Sequence, residues 1–277
     1  MLNELAGSIE TFLVQTSCLG TIRPEPQRVY VLDRLARLHW ERRDLGVLLD
    51  FLAGNIDYGS AKELDKWLAR LDLATRIVST PEAIAGGLVS QILIYETKDD
   101  PPVNLADFGF GTSQVLPVLL QSLLAKPGSV VIIEQPELYL HPNAQAHLAD
   151  LFAAAIYTIS YEGPEPRAEL SGVRFLIETH SEHLFLRLRR RIAETTSRRD
   201  KPSDEGRYIR PADIKTYFVE RDPVYGVSSI APVVIGSLGE LTSVPFEFET
   251  FFSDDLRETG ELARARLEAR RLVDKNE

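Results

Sequence analysis

The chain has 277 residues, 44% of them hydrophobic and 26% charged, which excludes a wholly disordered chain. Cys18 is the single cysteine, so a disulfide-built scaffold is excluded as well. Lys plus Arg number 31 against 41 Asp plus Glu, and a net charge of −10 makes the chain as a whole no general polyanion binder.

The first ~20 residues are weakly patterned, and Arg23-Pro24-Glu25-Pro26 reads as a stiff extended connector, because each proline restricts the residue before it. From Val29 to Val78 leucines recur at three-and-four spacing (Leu32, Leu35, Leu38, Leu45, Leu48, Leu49, Leu52), which predicts a mostly helical region. Gly54, Gly59 and Ser60 interrupt it, and a helix resumes over Ala61–Leu73. Leu88–Tyr95 is dense in β-branched residues and predicts a strand, paired with Val103–Phe108 across Asp99-Asp100-Pro101-Pro102. Thr112–Leu124 is expected as a helix with Pro117 near its first turn.

Val130–Ile133 is a short continuous apolar run of the kind buried on both faces of a parallel sheet. A helix over Asn143–Ile159, a polar surface loop over Glu162–Gly172, a second buried strand over Val173–Ile177 and a basic helix over Glu182–Ala193 follow. Ser197–Arg210 reads as a loop, Ile214–Val219 with Val227–Ile235 as a closing hairpin, and Leu256–Val273 as a charged helix. Helices alternating with buried strands predict an α/β core with a parallel sheet. The domain expectation is a connector (1–28), a helical insertion (29–87), a core (88–212) and a C-terminal extension (213–277). No run of 18 apolar residues and no basic-then-apolar leader occurs, so neither a membrane contact nor a signal peptide is expected, and the expected location is cytoplasmic.

Three clusters carry candidate chemistry. In Val131-Ile132-Ile133-Glu134-Gln135-Pro136-Glu137 a strand ends in acids on a proline-stiffened turn. An acid there can hold Mg²⁺ through water, and a following acid can orient an attacking water; the plain alternative is a strand followed by an acidic turn. In Phe175-Leu176-Ile177-Glu178-Thr179-His180-Ser181 a strand ends in a polar hook. His180 can donate to a phosphate oxygen or merely cap the sheet, and Ser181 suits a helix N-cap. In Asp107-Phe108-Gly109-Phe110-Gly111-Thr112-Ser113-Gln114 two glycines and two hydroxyls open a helix, an arrangement that suits an anion or simply a capped turn.

Taken together, GFGTSQVLPVLL, VVIIEQPELYLHP and FLIETHSEHLFLRLRRRI resemble the C-terminal half of an ABC-type "AAA family" ATPase head, related to the overcoming-lysogenisation-defect and SMC-like ATPases. The resemblance covers roughly residues 22–225. It implies a P-loop-NTPase-like α/β fold, with ATP and Mg²⁺ as cofactors and an opposing head, DNA or a nuclease-type effector as partners, in bacterial anti-phage defence or genome maintenance. Carried over, Gly109, Gly111, Thr112, Ser113 and Gln114 would be the nucleotide-binding signature loop. Glu134 would be the Walker B acid holding Mg²⁺ through water, and His180 the switch histidine. Gln135 stands where the family commonly has the catalytic Glu, and Glu137 is the candidate replacement base.

One departure is large. A P-loop needs Gly-Lys-Ser/Thr, and none of the seven lysines follows a glycine. The chain alone is therefore expected to bind ATP poorly. A P-loop-bearing companion chain, a fragment of a longer protein and a degenerate head that docks on a partner ATPase or nuclease all remain open. Arg187, Arg189, Arg190 and Arg191 form the concentrated basic patch, either a solvated helix face or a contact for nucleic-acid phosphates or an acidic partner. A dedicated zinc site is not expected from the histidine spacing.

Overall fold

The computed structural model describes residues 7, 10, 12–13, 15–32, 46–84, 87–160, 167–197, 208–221 and 225–245. It divides into two units, Met1–Ile209 and Arg210–Glu277. In chain order the first unit contains β1 (Thr16–Leu19), β2 (Tyr30–Leu32), α1 (Gly46–Leu52), α2 (Tyr58–Arg70), β3 (Arg76–Ser79), β4 (Glu82–Ile84), β5 (Gly87–Ser90), β6 (Ile92–Tyr95) and β7 (Val103–Asn104). It continues with α3 (Phe110–Leu123), β8 (Val130–Glu134), α4 (Pro142–Ala155), β9 (Tyr157–Ser160), β10 (Arg167–Leu170), β11 (Arg174–Glu178) and α5 (Glu182–Ser197). The second unit holds the antiparallel sheet β12 (Thr216–Arg221), β13 (Ser228–Ile235) and β14 (Leu241–Ser243).

The β-branched run VVII makes β8 the middle strand of a parallel sheet ordered β1-β8-β11. Side chains alternate across a strand, so the register separates two faces. On one face lie Val131, Ile133, Phe175, Ile177 and Leu19, which join a core with Val115, Leu119, Leu148 and Phe152 of α3 and α4. The Phe152 and Phe175 rings meet at 5.3 Å. On the other face Cys18, Ile132 and Leu176 stand abreast, the first two half-buried and Leu176 62% exposed. The expectation of strands buried on both faces is therefore corrected: the helical layer covers one face, and among the described residues β11 is an edge strand.

The helix starts follow local chemistry. Asp57 caps α2 by accepting from the Ser60 amide, and Pro142 takes the first turn of α4 behind His141. The α3 helix is buried on nearly every side, and it starts at Phe110, so Pro117 lies in its interior and not near its first turn.

Region 29–87 is not purely helical. It contains β2, β3 and β4, and its helices place Leu48, Phe51, Leu52, Leu64, Trp67 and Leu68 in the same core as α3 and α4. The single strand expected over Leu88–Tyr95 is two, split at Gln91: β5 pairs with β2 and β4, while β6 pairs with β3 and β7. The expected Val103 pairing holds for two residues, after which Leu105–Asp107 turn into a 3-10 helix. The α4 helix stops at Ala155, and β9 with β10 forms a hairpin where helix and loop were expected. The β12–β13 hairpin forms as read. Residues 198–207 and the expected Leu256–Val273 helix lie outside the described residues. Among the described residues no helix is long and apolar enough to cross a membrane.

Candidate nucleotide site

β8 and β11 run side by side, so Glu134 and Glu178 end their strands in register on the open face. Ligands of parallel sheets gather beyond such carboxyl ends. Glu134 Oε2 accepts from the Thr21 amide at 3.1 Å and the Thr21 hydroxyl at 2.9 Å. Its Oε1 makes no hydrogen bond among the described residues, and Glu178 beside it is exposed. A carboxylate held by one oxygen, beside a second acid, is the hard oxygen donor set that Mg²⁺ takes.

The turn after Glu134 is shaped by backbone contacts. Gln135 adopts a left-handed conformation (φ 44°) and donates its amide to Glu178 O at 2.8 Å. Arg23 then closes over it. Its guanidinium donates to Glu134 O at 2.8 Å, to Gln135 O at 3.0 Å and to Gln114 O at 3.2 Å. One buried arginine thus joins the strand end, the turn and the third helix. Burial pushes its pKa below the ordinary value, against the favourable field of Glu137.

Glu137 is buried. Its Oε1 accepts from the His180 amide at 2.7 Å, while its Oε2 has no protein partner. The side chain expected as a replacement base thus fixes the His180 loop. His180 is exposed just past the edge strand. Ser181 caps α5 as read, accepting from the Leu184 amide at 3.1 Å and donating to Gln145 Oε1 at 2.7 Å.

The glycine loop is only partly where the sequence reading puts it. Gly109 and Phe110 are exposed and Gly111 is half-buried. A Cβ on Gly111 would lie 2.6 Å from Tyr139 O, so the loop needs glycine there to pass the turn after Glu137. Phe110 and Tyr139 meet edge to face at 4.7 Å. Thr112, Ser113 and Gln114 are buried, and Ser113 Oγ donates to Phe110 O at 2.7 Å. Their side chains are withdrawn from any ligand outside this chain, which leaves the Gly109–Gly111 backbone as the accessible part.

The basic patch also divides. Arg191 is buried and makes a two-pronged ion pair with Asp150 at 2.6 and 2.8 Å, plus a third bond to Glu194. It is removed from any surface contact. Arg190 pairs with Glu194, and Arg189 lies over the Phe185 ring. Among the described residues no group of His, Cys, Asp and Glu is arranged to hold a metal without a nucleotide.

Sequence reasoning missed Arg23 and Thr21 as site residues, and it placed Glu178 at a strand end without giving it a role. The Arg-Pro-Glu-Pro string announced a stiff segment, but nothing local announced what its arginine would reach.

A parallel sheet with helices packed on it and acids at its carboxyl end defines a P-loop-NTPase-like α/β fold. The model of the family described as "AAA domain, putative AbiEii toxin, Type IV TA system" matches residues 22–187, and the chain belongs to that family. No curated protein matches the chain. Among similar solved structures is one from work on ATP-driven dimerisation and DNA-stimulated activation of SMC ATPases. It is 13% identical, covers 72% of this chain and 91% of its own, and has a TM-score of 0.39.

Proposed function

We propose that this chain is the C-terminal part of an ABC-type ATPase head, an ATP-dependent switch whose P-loop comes from another polypeptide segment. Its setting is bacterial, DNA-linked defence or genome maintenance, in the cytoplasm, with an opposing head and an effector such as a nuclease as partners. The observation that carries the reading is the one-sided sheet. Parallel sheets are covered on both faces, yet on the face that continues into Glu134 and Glu178, Leu176 is 62% exposed and Ile132 beside it is half-buried. A P-loop unit is a strand, a glycine-rich turn and a helix. Its strand extends the sheet at the outer edge of β11, its helix covers the open face, and its turn brings the phosphates to the strand ends.

In that assembly Glu134 and Glu178 hold Mg²⁺ through water, and His180 donates to the terminal phosphate. Gln135 orients water without accepting its proton, Glu137 positions His180, and the Gly109–Gly111 backbone meets the nucleotide of the opposing head. ATP supplies the phosphoanhydride, and Mg²⁺ neutralises the charge that develops on it.

A second reading is a head that does not hydrolyse ATP and docks on a partner ATPase or nuclease. It is favoured by one feature: Gln135 is no base, and Glu137 is buried against the His180 amide.

The test is nucleotide binding and turnover by the chain alone and with a P-loop-bearing partner, such as the product of the adjacent reading frame. The expectation is an inert chain, an active pair, loss of turnover in His180→Ala, and failure of the pair to assemble in Leu176→Asp. Binding without turnover by the pair selects the second reading. If neither preparation binds ATP, the ATP-dependent switch is overturned.

A further inference from the structure

The segment between β1 and β2 touches the candidate site at its acidic end and at its glycine loop. Thr21 donates twice to Glu134, and Arg23 donates to the carbonyls of Glu134, Gln135 and Gln114. Further along, the Arg28 guanidinium forks onto Asp107, donating to Oδ2 at 2.6 Å and to Oδ1 at 2.5 Å. The Arg28 carbonyl accepts from Asn104 Nδ2 at 2.9 Å.

These contacts bracket the Gly109–Gly111 loop. Asp107 lies just before it and Gln114 just after it, so one short segment grips both ends. Between the two grips stand Pro24 and Pro26, which fix their own φ and restrict Arg23 and Glu25. Chain of this kind is a stiff spacer and does not slacken as a glycine-rich linker would.

The leading end of the loop is braced as well. Asn104 Oδ1 accepts from the Ala106 amide at 3.0 Å, the Phe108 amide donates to Leu105 O at 3.2 Å, and Leu105 is buried. A displacement of Asp107 is therefore passed on to Phe108 and Gly109. The Arg28 and Asp107 side chains are 70% and 40% exposed. Exposed ion pairs add little to global stability, so this one acts locally, on the loop that follows it.

We infer that Arg28 is a positioning residue for the Gly109–Gly111 loop: through Asp107 it sets where that backbone stands relative to Glu134. The inference rests on the nucleotide reading above. In that reading Glu134 serves one nucleotide and the glycine loop serves the nucleotide of the opposing head. Residues 21–28 then tie the two sites of one head into a single piece, with Arg23 at the acids and Arg28 at the loop.

The experiment compares the parent chain with Arg28→Gln, Asp107→Asn and the swap Arg28→Asp/Asp107→Arg, in two arms. The first is amide hydrogen exchange of the full chain alone. Either single variant is expected to speed exchange over residues 108–111 about 3-fold, the scale of one lost exposed ion pair. β8, α4 and α5 keep their protection, and the swap restores that of the loop. About 1 M salt does the same to the parent and nothing further to Arg28→Gln, because an exposed pair is screened. In the second arm the chain is assembled with the P-loop-bearing partner. Arg28→Gln is expected to lower turnover several-fold at unchanged ATP affinity, and the swap to recover it. A residue that only stabilised the fold would not be rescued by reversed charges. The inference is overturned if loop exchange does not change, if the whole first unit speeds up equally, or if turnover of an active pair ignores Arg28→Gln. A parent pair that binds no ATP marks instead the failure of the nucleotide reading, which takes this role for Arg28 with it even where the exchange arm succeeds.

Discussion

Arg23 and Arg191 are both about 95% buried, and they spend their donors differently. Arg191 meets carboxylates: Asp150 on the facing helix and Glu194 one turn along its own. Arg23 meets backbone carbonyls on two elements more than 90 residues away in sequence. The first arrangement pins two helices that already share an apolar seam. The second holds a turn containing a left-handed Gln135 in place beside the acids of the strand ends. Paired charges stabilise an existing packing, whereas carbonyls gathered by one guanidinium define a shape that the backbone would not keep alone.

This contrast can be broken by substitution, starting with the largest effect. Asp150→Ala leaves Arg191 buried with only Glu194, and a loss of about 3–5 kcal/mol in urea unfolding is expected. The double variant Asp150→Leu/Arg191→Met should recover most of it, because an apolar pair of similar volume removes the stranded charge. If the double variant is no better than the single, the pair does more than hold helices.

Arg23→Met strands the carbonyls of Gln114, Glu134 and Gln135, and about 3 kcal/mol is expected to be lost. Here the diagnostic is location: amide hydrogen exchange should accelerate around 110–114 and 134–138 while α4 and α5 stay protected. Uniform acceleration would mean that Arg23 is only a core residue.

Gly111→Ala forces a Cβ against Tyr139 O, and a cost of about 2 kcal/mol is expected from the overpacking. Ser181→Ala removes the cap of α5 and its bond to Gln145, at about 1 kcal/mol.

The smallest effect is one of pH. Burial raises the pKa of Glu194, but hydrogen bonds from Arg191 and Arg190 outweigh it, and the carboxyl sits below the ordinary glutamate value. The unfolded chain therefore binds the proton first as pH falls. The stability from this group is present above the ordinary glutamate range and is lost as pH drops through the folded value. Unfolding followed from pH 6 down to about pH 3 should show a shallower decline in Glu194→Gln than in the parent chain.

Much of the core was legible. β8, β11, α3, α5 and the Ser181 cap come from runs and caps a few residues long, and the register of β8 with β11 brings Glu134 and Glu178 to one level. The errors fall where short-range pattern is ambiguous. Gln91 interrupts an apolar run without any turn signal, and the two halves then enter different sheets. Tyr157–Ser160 continues the apolar pattern of α4 yet pairs as a strand with Arg167–Leu170. The burial of the side chains at 112–114 was not legible, because it depends on the Tyr139–Leu140 turn passing over Gly111.

By itself, then, the sequence determined the strands β8 and β11, the helices α3 and α5, the acids and histidine that end the strands, and the lack of any Gly-Lys-Ser/Thr. These are properties of neighbouring residues, governed by backbone sterics and short-range periodicity. Only the tertiary structure decided that Leu176 on the second sheet face is exposed, that Arg23 reaches the carbonyls of the strand end and the turn, and that Arg191 is a buried pin while Arg187 faces a cavity. Those outcomes depend on which residues meet across 40 to 110 positions of chain, where the same arginine is a surface charge or a clamp according to what is packed beside it.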